Sequence, residues 1–420
     1  MHNRKKAGLG LHIEKDLKDF IHGFAKKASI ELELPDDCSP SSLHKNLEET
    51  KKKLENLVKS FKEDLNSPDR ELPPMIKNVA LAPVFYKIFM TDLLMFYAER
   101  NRSKDLENIS HGKLTRKQIE ERASAKDFKS FAHRKVMDLL IGMGASPKLP
   151  LIVLQGPGFI GSAMEISVHS ANYNALKALD KYPDTNPLFP NMLRDEIIGS
   201  GDASLYGKSA PYKDLFYFSQ DFWDGFPAKF GENKPVNTLA KELHGEDLYL
   251  FINTVQIKNH FLDKFKDINT LISPERNPKN NESKLYSPLH ILAQSDPYQK
   301  SSLLSFNMLM SRGADINLKN TKGDSPTHVA AREGNKEFVQ YAISRNANLN
   351  CLNNDGESPL ELAKKSFLSL TKHTHPGDGR LSDFKDIISL ITLNKGLSQN
   401  LTRENGTRKQ SAKFQPAFTP

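Results

Sequence analysis

The feature that most limits what this chain can fold into is a motif that returns at a fixed period. Ser325-Pro326-Thr327-His328-Val329-Ala330-Ala331 is preceded by Ser287-Pro288-Leu289-His290-Ile291-Leu292-Ala293 and followed by Ser358-Pro359-Leu360-Glu361-Leu362-Ala363. Pro326 and Pro359 are 33 residues apart; Pro288 and Pro326 are 38 apart, which a five-residue insertion around Gln294–Ser302 explains. A period of this size marks supersecondary units that cannot bury an apolar face alone and therefore stack. In each unit Ser caps a helix and Pro takes its first turn, where a missing N–H costs nothing. Ala330 and Ala331 are small enough for two helices to approach, and Leu309, Met310, Phe338, Val339 and Ile343 supply the face that neighbours cover. Gly313, replaced by Asn346 one unit later, suits a left-handed helix end. His290 and His328 read as structural groups bonding the turn next door, not as metal ligands or bases.

The run from Gly323 to Asn335, followed by Phe338, Val339, Ile343 and Asn346-Ala347-Asn348-Leu349-Asn350, resembles the ankyrin repeat, whose pattern is G-x-T-P-L-H-x-A-A, G-N, paired apolar residues, then G-A-D-x-N. The resemblance implies an all-α chain: an ankyrin-repeat solenoid of stacked helix-turn-helix units with an α-helical N-terminal region. Pro288, His290, Gly313, Pro326, His328, Gly334 and Pro359 are then its structural positions. It also implies protein binding at hairpin tips and inner helix faces. Those positions here are Asn320, Thr321, Lys322, Asn353, Asn354 and Asp355 at the tips, and Arg332 and Glu333 on a first helix.

The segmentation that follows is a helical segment over 1–70, an α-helical region over 75–280, repeats and a C-terminal cap over 283–395, and a disordered basic tail over 396–420. Leu43, Leu47, Leu54, Leu57, Val58, Phe61 and Leu65 form one face of a helix between Pro40 and Asn66, lying on a bundle or in a short coiled coil. Phe367–Leu370 and Phe384–Leu393 are expected to cap the array. On its other side, 246–271 reads as two short helices ending in Asp267-Ile268-Asn269. Degenerate repeats are expected upstream: Val136, Met137, Leu139 and Leu140 lead into Gly144-Ala145-Ser146-Pro147, and Gly161 to Asn172 repeats the step from Gly323 to Gly334. An insertion over 184–245 gathers Phe216, Tyr217, Phe218, Phe222, Trp223, Phe226 and Phe230, which either pack an inserted subdomain or present a partner surface, with Phe222 and Trp223 as its anchors.

Signals for other chemistry are weak. Gly156-Pro157-Gly158-Phe159-Ile160-Gly161 follows an apolar run like a dinucleotide-binding loop, but no second strand follows, so a glycine-rich hairpin is the better reading. Cys38 precedes a helix N-terminus and His44 lies on that helix, a faint suggestion of a cysteine-protease-like domain in 1–280. His373 and His375 lack the further ligands a closed metal site needs. No cofactor, metal or small-molecule ligand is expected. Two cysteines in 420 residues rule out a disulfide framework, and no segment is apolar for long enough to span a membrane. The net charge of +8 comes from the ends: residues 1–27 hold seven basic and three acidic side chains, and 391–420 hold five and one. Solvated tails account for this, so a nucleic-acid partner is not expected. The expected function is binding of another protein inside a cell. The Lys- and Asn-rich composition and eroded repeats resemble the ankyrin effectors that intracellular bacteria such as Legionella or Coxiella deliver into host cytoplasm through a type IV system; the alternative is an enzyme that the repeats deliver to its target.

Overall fold

The computed structural model describes residues 19–35, 38–65, 82–147, 151–152, 160–182, 236–263, 265–271, 286–294, 303–372 and 378–411. The aromatic cluster with Phe222 and Trp223, the loop with His373 and His375, and Gly156 to Phe159 lie outside these residues. The described chain is α-helical apart from one ladder of two-residue strands. It divides into two compact units, the first comprising residues 1–209 and 237–260 and the second residues 210–236 and 261–420.

The first unit is built on α1 (residues 19–31), α2 (Pro40–Leu65), α3 (Ala82–Ser110), α4 (Arg116–Ala123) and α5 (Phe128–Gly142). The predicted apolar stripe of α2 is its buried face: Leu54, Leu57, Val58 and Phe61 enter the core, and Leu43 and Leu47 pack at its edge. Phe61 stacks on Phe89 of α3 with centroids 4.1 Å apart, and Phe24 of α1 meets both rings edge-on. Because α3 is buried on nearly every side between residues 88 and 98, its apolar residues fall on all faces instead of forming a stripe, interrupted only by buried Thr91 and Asp92.

Strands β1 (Leu151–Ile152) and β2 (Ile160–Gly161) pair antiparallel, Leu151 opposite Gly161. Helices α6 (Ala163–His169) and α7 (Tyr173–Leu179) follow directly. A dinucleotide-binding unit requires a parallel second strand; β1 and β2 are antiparallel, and a helix pair follows them. That pair repeats the chemistry of the second unit with a one-residue correction to the predicted register. Ala171, at φ +50°, takes the left-handed place of Gly334, at +81°. Asn172 caps α7 as Asn335 caps the helix after Gly334, accepting from Ala175 N and Phe338 N respectively. Likewise Gly144 N and Ala145 N bond the Ile141 and Leu140 carbonyls just as Gly313 N and Ala314 N bond those of Met310 and Leu309. The unit is completed by α8 (Val236–Glu242) and α9 (Gly245–Leu262). Helix α9 is a single helix where two were expected, since its mid-helix Asn253 and Thr254 donate to the carbonyls of Tyr249 and Leu250 four residues back and leave no break.

In the second unit, α10 (Pro288–Ala293), α12 (Pro326–Glu333) and α14 (Pro359–Thr371) are first helices packed in a row. They pair with α11 (Leu303–Ser311), α13 (Lys336–Ser344) and α15 (Gly379–Ser411). The expected cap segments fall on α14 and α15, with Phe384, Ile387 and Ile391 buried. Helix α15 continues to Ser411, through residues whose polar composition predicts a disordered tail. Asn346 adopts φ +59°, the left-handed end that Gly313 makes at +82°.

Candidate functional site

The first two repeats each bond the following hairpin through one histidine. His290 Nδ1 lies 2.8 Å from Ser287 Oγ and accepts from Ser287 N, while its Nε2 reaches the Asp324 carbonyl of the next hairpin at 2.9 Å. His328 repeats this with Ser325 and the Glu357 carbonyl, at 2.8 and 3.1 Å. A nitrogen that accepts from an N–H carries no proton, and a nitrogen facing a carbonyl must donate, so both rings are neutral and protonated on Nε2. Burial pushes His290 down to about 4 and lowers His328 as well. The third unit has Glu361 instead, whose carboxylate accepts from Ser358 N at 2.6 Å in a capping box.

The hairpin tips owe their shape to asparagine. Asn320 Oδ1 accepts from the backbone of Lys322 and Asp324, and Asn353 Oδ1 from that of Asp355 and Glu357. Gly323 and Gly356 close the turns, both at φ +75°. Consecutive hairpins are joined by Asn354, whose N donates to the Lys322 carbonyl at 3.0 Å and whose Nδ2 donates to that of Thr321 at 3.2 Å. On α12, Arg332 donates at 2.6 Å to Asp324, whose side chain is 1% exposed and also accepts from Asn353 Nδ2.

The sequence-derived surface thus divides by role. Asn320, Asn353, Asn354 and Arg332 hold the array together, whereas Thr321, Lys322 and Asp355 are exposed at the tips and Glu333 is half-exposed beside them. Sequence reasoning missed Lys365, which pairs with Glu357 at 2.8 Å one repeat after the Arg332–Asp324 pair. The signal was present, because both partners recur at the 33-residue period. It also missed Leu352, exposed below the third tip, with its carbonyl bonded by Lys319 Nζ.

Cys38 is buried, and its thiol donates to the Pro35 carbonyl at 3.2 Å. His44 is exposed on α2 and takes no part in that bond. A different histidine of this unit, His133, is buried with Nδ1 2.9 Å from Tyr97 Oη, and burial drives its pKa well below the ordinary value. Beside it, Arg122 bridges Asp105 and Asp127, and Tyr249 donates to Asp105. Among the described residues no three His, Cys, Asp or Glu side chains converge as a metal site would require, and no helix is long and apolar enough to cross a membrane.

No curated protein matches the chain. Residues 289–370 match the family model described as ankyrin repeats in three copies. This chain therefore carries ankyrin repeats, a module that generally binds other proteins.

Proposed function

We propose that the array captures another protein on its hairpin tips and the adjoining edge of its first helices, with Thr321, Lys322, Asp355 and Glu333 in contact. The observation that carries this reading is the division of labour at the tips. Asparagines hold the turns rigid, leaving exposed side chains of mixed charge on a pre-organised row. We further propose that the partner belongs to a host cell and that the chain is a bacterial effector delivered into host cytoplasm. Supporting this are the Lys- and Asn-rich composition and the eroded repeat around α6 and α7, which keeps the caps but not the glycine.

The test is a pull-down from host-cell lysate with the full chain and with a variant carrying Thr321→Ala, Lys322→Ala, Glu333→Ala and Asp355→Ala. Arg332 is left intact because its removal strips a buried carboxylate of its partner. Capture of one protein by the parent, and its loss in the variant with unchanged thermal melting, supports the reading; equal capture by both refutes the tip surface. Equal recovery of the same partner from bacterial lysate refutes the host assignment.

A further inference from the structure

The helix pair α5 and α7 carries a surface of a different character. Two of the large hydrophobic side chains exposed in the described structure are aromatic, Phe128 at 55% and Phe131 at 39%, and they lie one turn apart on α5. Cations gather at Phe131 and on α7. Arg134 and Lys135 sit over the Phe131 ring at 5.9 and 5.4 Å from its centroid, and Lys177 sits over Tyr173 at 5.8 Å. Lys126 is exposed in the turn before α5.

Acidic side chains do not balance this group. Asp138 takes Lys181 at 2.7 Å and Lys135 at 4.0 Å, and Asp127 is held by Arg122. No carboxylate pairs with Lys126 or Lys177 among the described residues. Burial, Arg134 and Lys126 together lower the pKa of Lys177, so these cations crowd one another, and although Asp127 and Asp138 act on Arg134, burial still lowers its pKa. Arg134 is also held in place: its Nη1 donates to the Ala125 carbonyl at 3.1 Å and to Asn174 Oδ1 at 2.6 Å. Those two bonds orient the guanidinium and leave its remaining N–H groups for an incoming anion.

We propose that the α5–α7 face docks an acidic segment of a partner protein, its carboxylates on Arg134, Lys126 and Lys177 and an apolar side chain of the same segment on Phe128 and Phe131. Charge complementarity selects an acidic ligand. The fixed guanidinium favours a peptide carboxylate over an anionic bilayer, because a bilayer attracts a basic patch through its summed charge and makes no use of an oriented fork. This surface is independent of the hairpin tips, and its failure leaves the reading of the tips untouched.

The experiment measures fluorescence anisotropy of a labelled peptide of glutamates around one Leu-Phe pair, titrated with the full chain. Controls are the same peptide with glutamine in place of glutamate, and co-sedimentation with phosphatidylcholine–phosphatidylserine vesicles. Saturable binding of the acidic peptide is expected, weakened about tenfold or more by Lys126→Glu with Lys177→Glu and by Phe128→Ser with Phe131→Ser. Apart from half-exposed Arg134, which is left unchanged, the contact residues are exposed, so both double variants should melt like the parent. Absence of peptide binding, equal binding of the glutamine peptide, indifference to either double variant, or binding to vesicles alone would overturn the proposal.

Discussion

Replacing Gly323 by alanine tests whether the array is held by close contact between hairpins or by the helices alone. Two costs arise at this position. The backbone sits at φ +75°, where a side chain costs about 1–2 kcal/mol. The added Cβ would also lie 2.3 Å from Asn354 Oδ1, 2.9 Å from its Cγ and 2.7 Å from its backbone N. Overpacking of this kind costs about 1–3 kcal/mol, giving about 2–5 kcal/mol together. Gly356 supplies the control, since it has the same φ of +75° with nothing within 4 Å of the new Cβ, and its substitution should cost only the backbone share of about 1–2 kcal/mol. The excess at Gly323 is therefore the energy of hairpin approach. Combining Gly323→Ala with Asn354→Gly removes the overlaps with Oδ1 and Cγ but leaves the backbone nitrogen, so only part of the excess should return. Urea unfolding followed by circular dichroism gives the midpoints, and hydrogen exchange at the Asn354 amide, which bonds the Lys322 carbonyl, reports the contact itself. Equal shifts for Gly323→Ala and Gly356→Ala, or unchanged exchange at Asn354, would refute the reasoning.

Further outcomes are open to the same measurements. Arg332→Ala should lower stability by about 1.5–3 kcal/mol, since it removes a charged hydrogen bond from buried Asp324, while Glu333→Ala should stay within about 0.5 kcal/mol in the urea midpoint. His290 has a folded pKa of about 4 against 6.5 unfolded, so between those values the unfolded chain binds more protons and stability rises with pH. The array should lose about 3 kcal/mol as pH falls through this window, and His290→Asn should shrink the difference between midpoints at pH 7 and pH 5. Asp92 in the first unit has the opposite sign: burial raises it to about 7, stability falls as pH rises from 3.8 towards 7, and Asp92→Asn should flatten that unit's melting profile over this range. Asn172→Ala and Asn335→Ala should each cost about 1–2 kcal/mol, since each removes a helix cap and a bond from Nδ2 to a carbonyl of another helix; a negligible loss at Asn172 would deny the equivalence of the two helix pairs.

What sequence reasoning reached, and what it did not, follows from the range of the interactions concerned. The Ser-Pro caps and the left-handed Asn346 are decided within one or two turns, and the bridging histidines recur at the repeat period, so all could be read from the residues themselves. The repeat at α6 and α7 was legible only as an echo with its register slipped by one. Ala171 occupies a left-handed position that usually advertises itself as glycine, which hid the true alignment of Ser162 with Ser325 and of Asn172 with Asn335. Helix α9 is one helix where two short ones are expected; Asn253 and Thr254 disfavour a helix in isolation, but here both side chains bond back to the preceding turn. The roles at the tips turn on a finer distinction. Asn320 and Asn353 each precede a glycine by three residues, the Asn-then-Gly signature of a tight turn, so the pattern that marks the tips also says which of their residues are occupied in making them. A periodic surface residue is thus a candidate for binding only after the turn it builds has taken its share, and by that criterion the side chains of Lys322 and Asp355 remain at the tips while the asparagines do not.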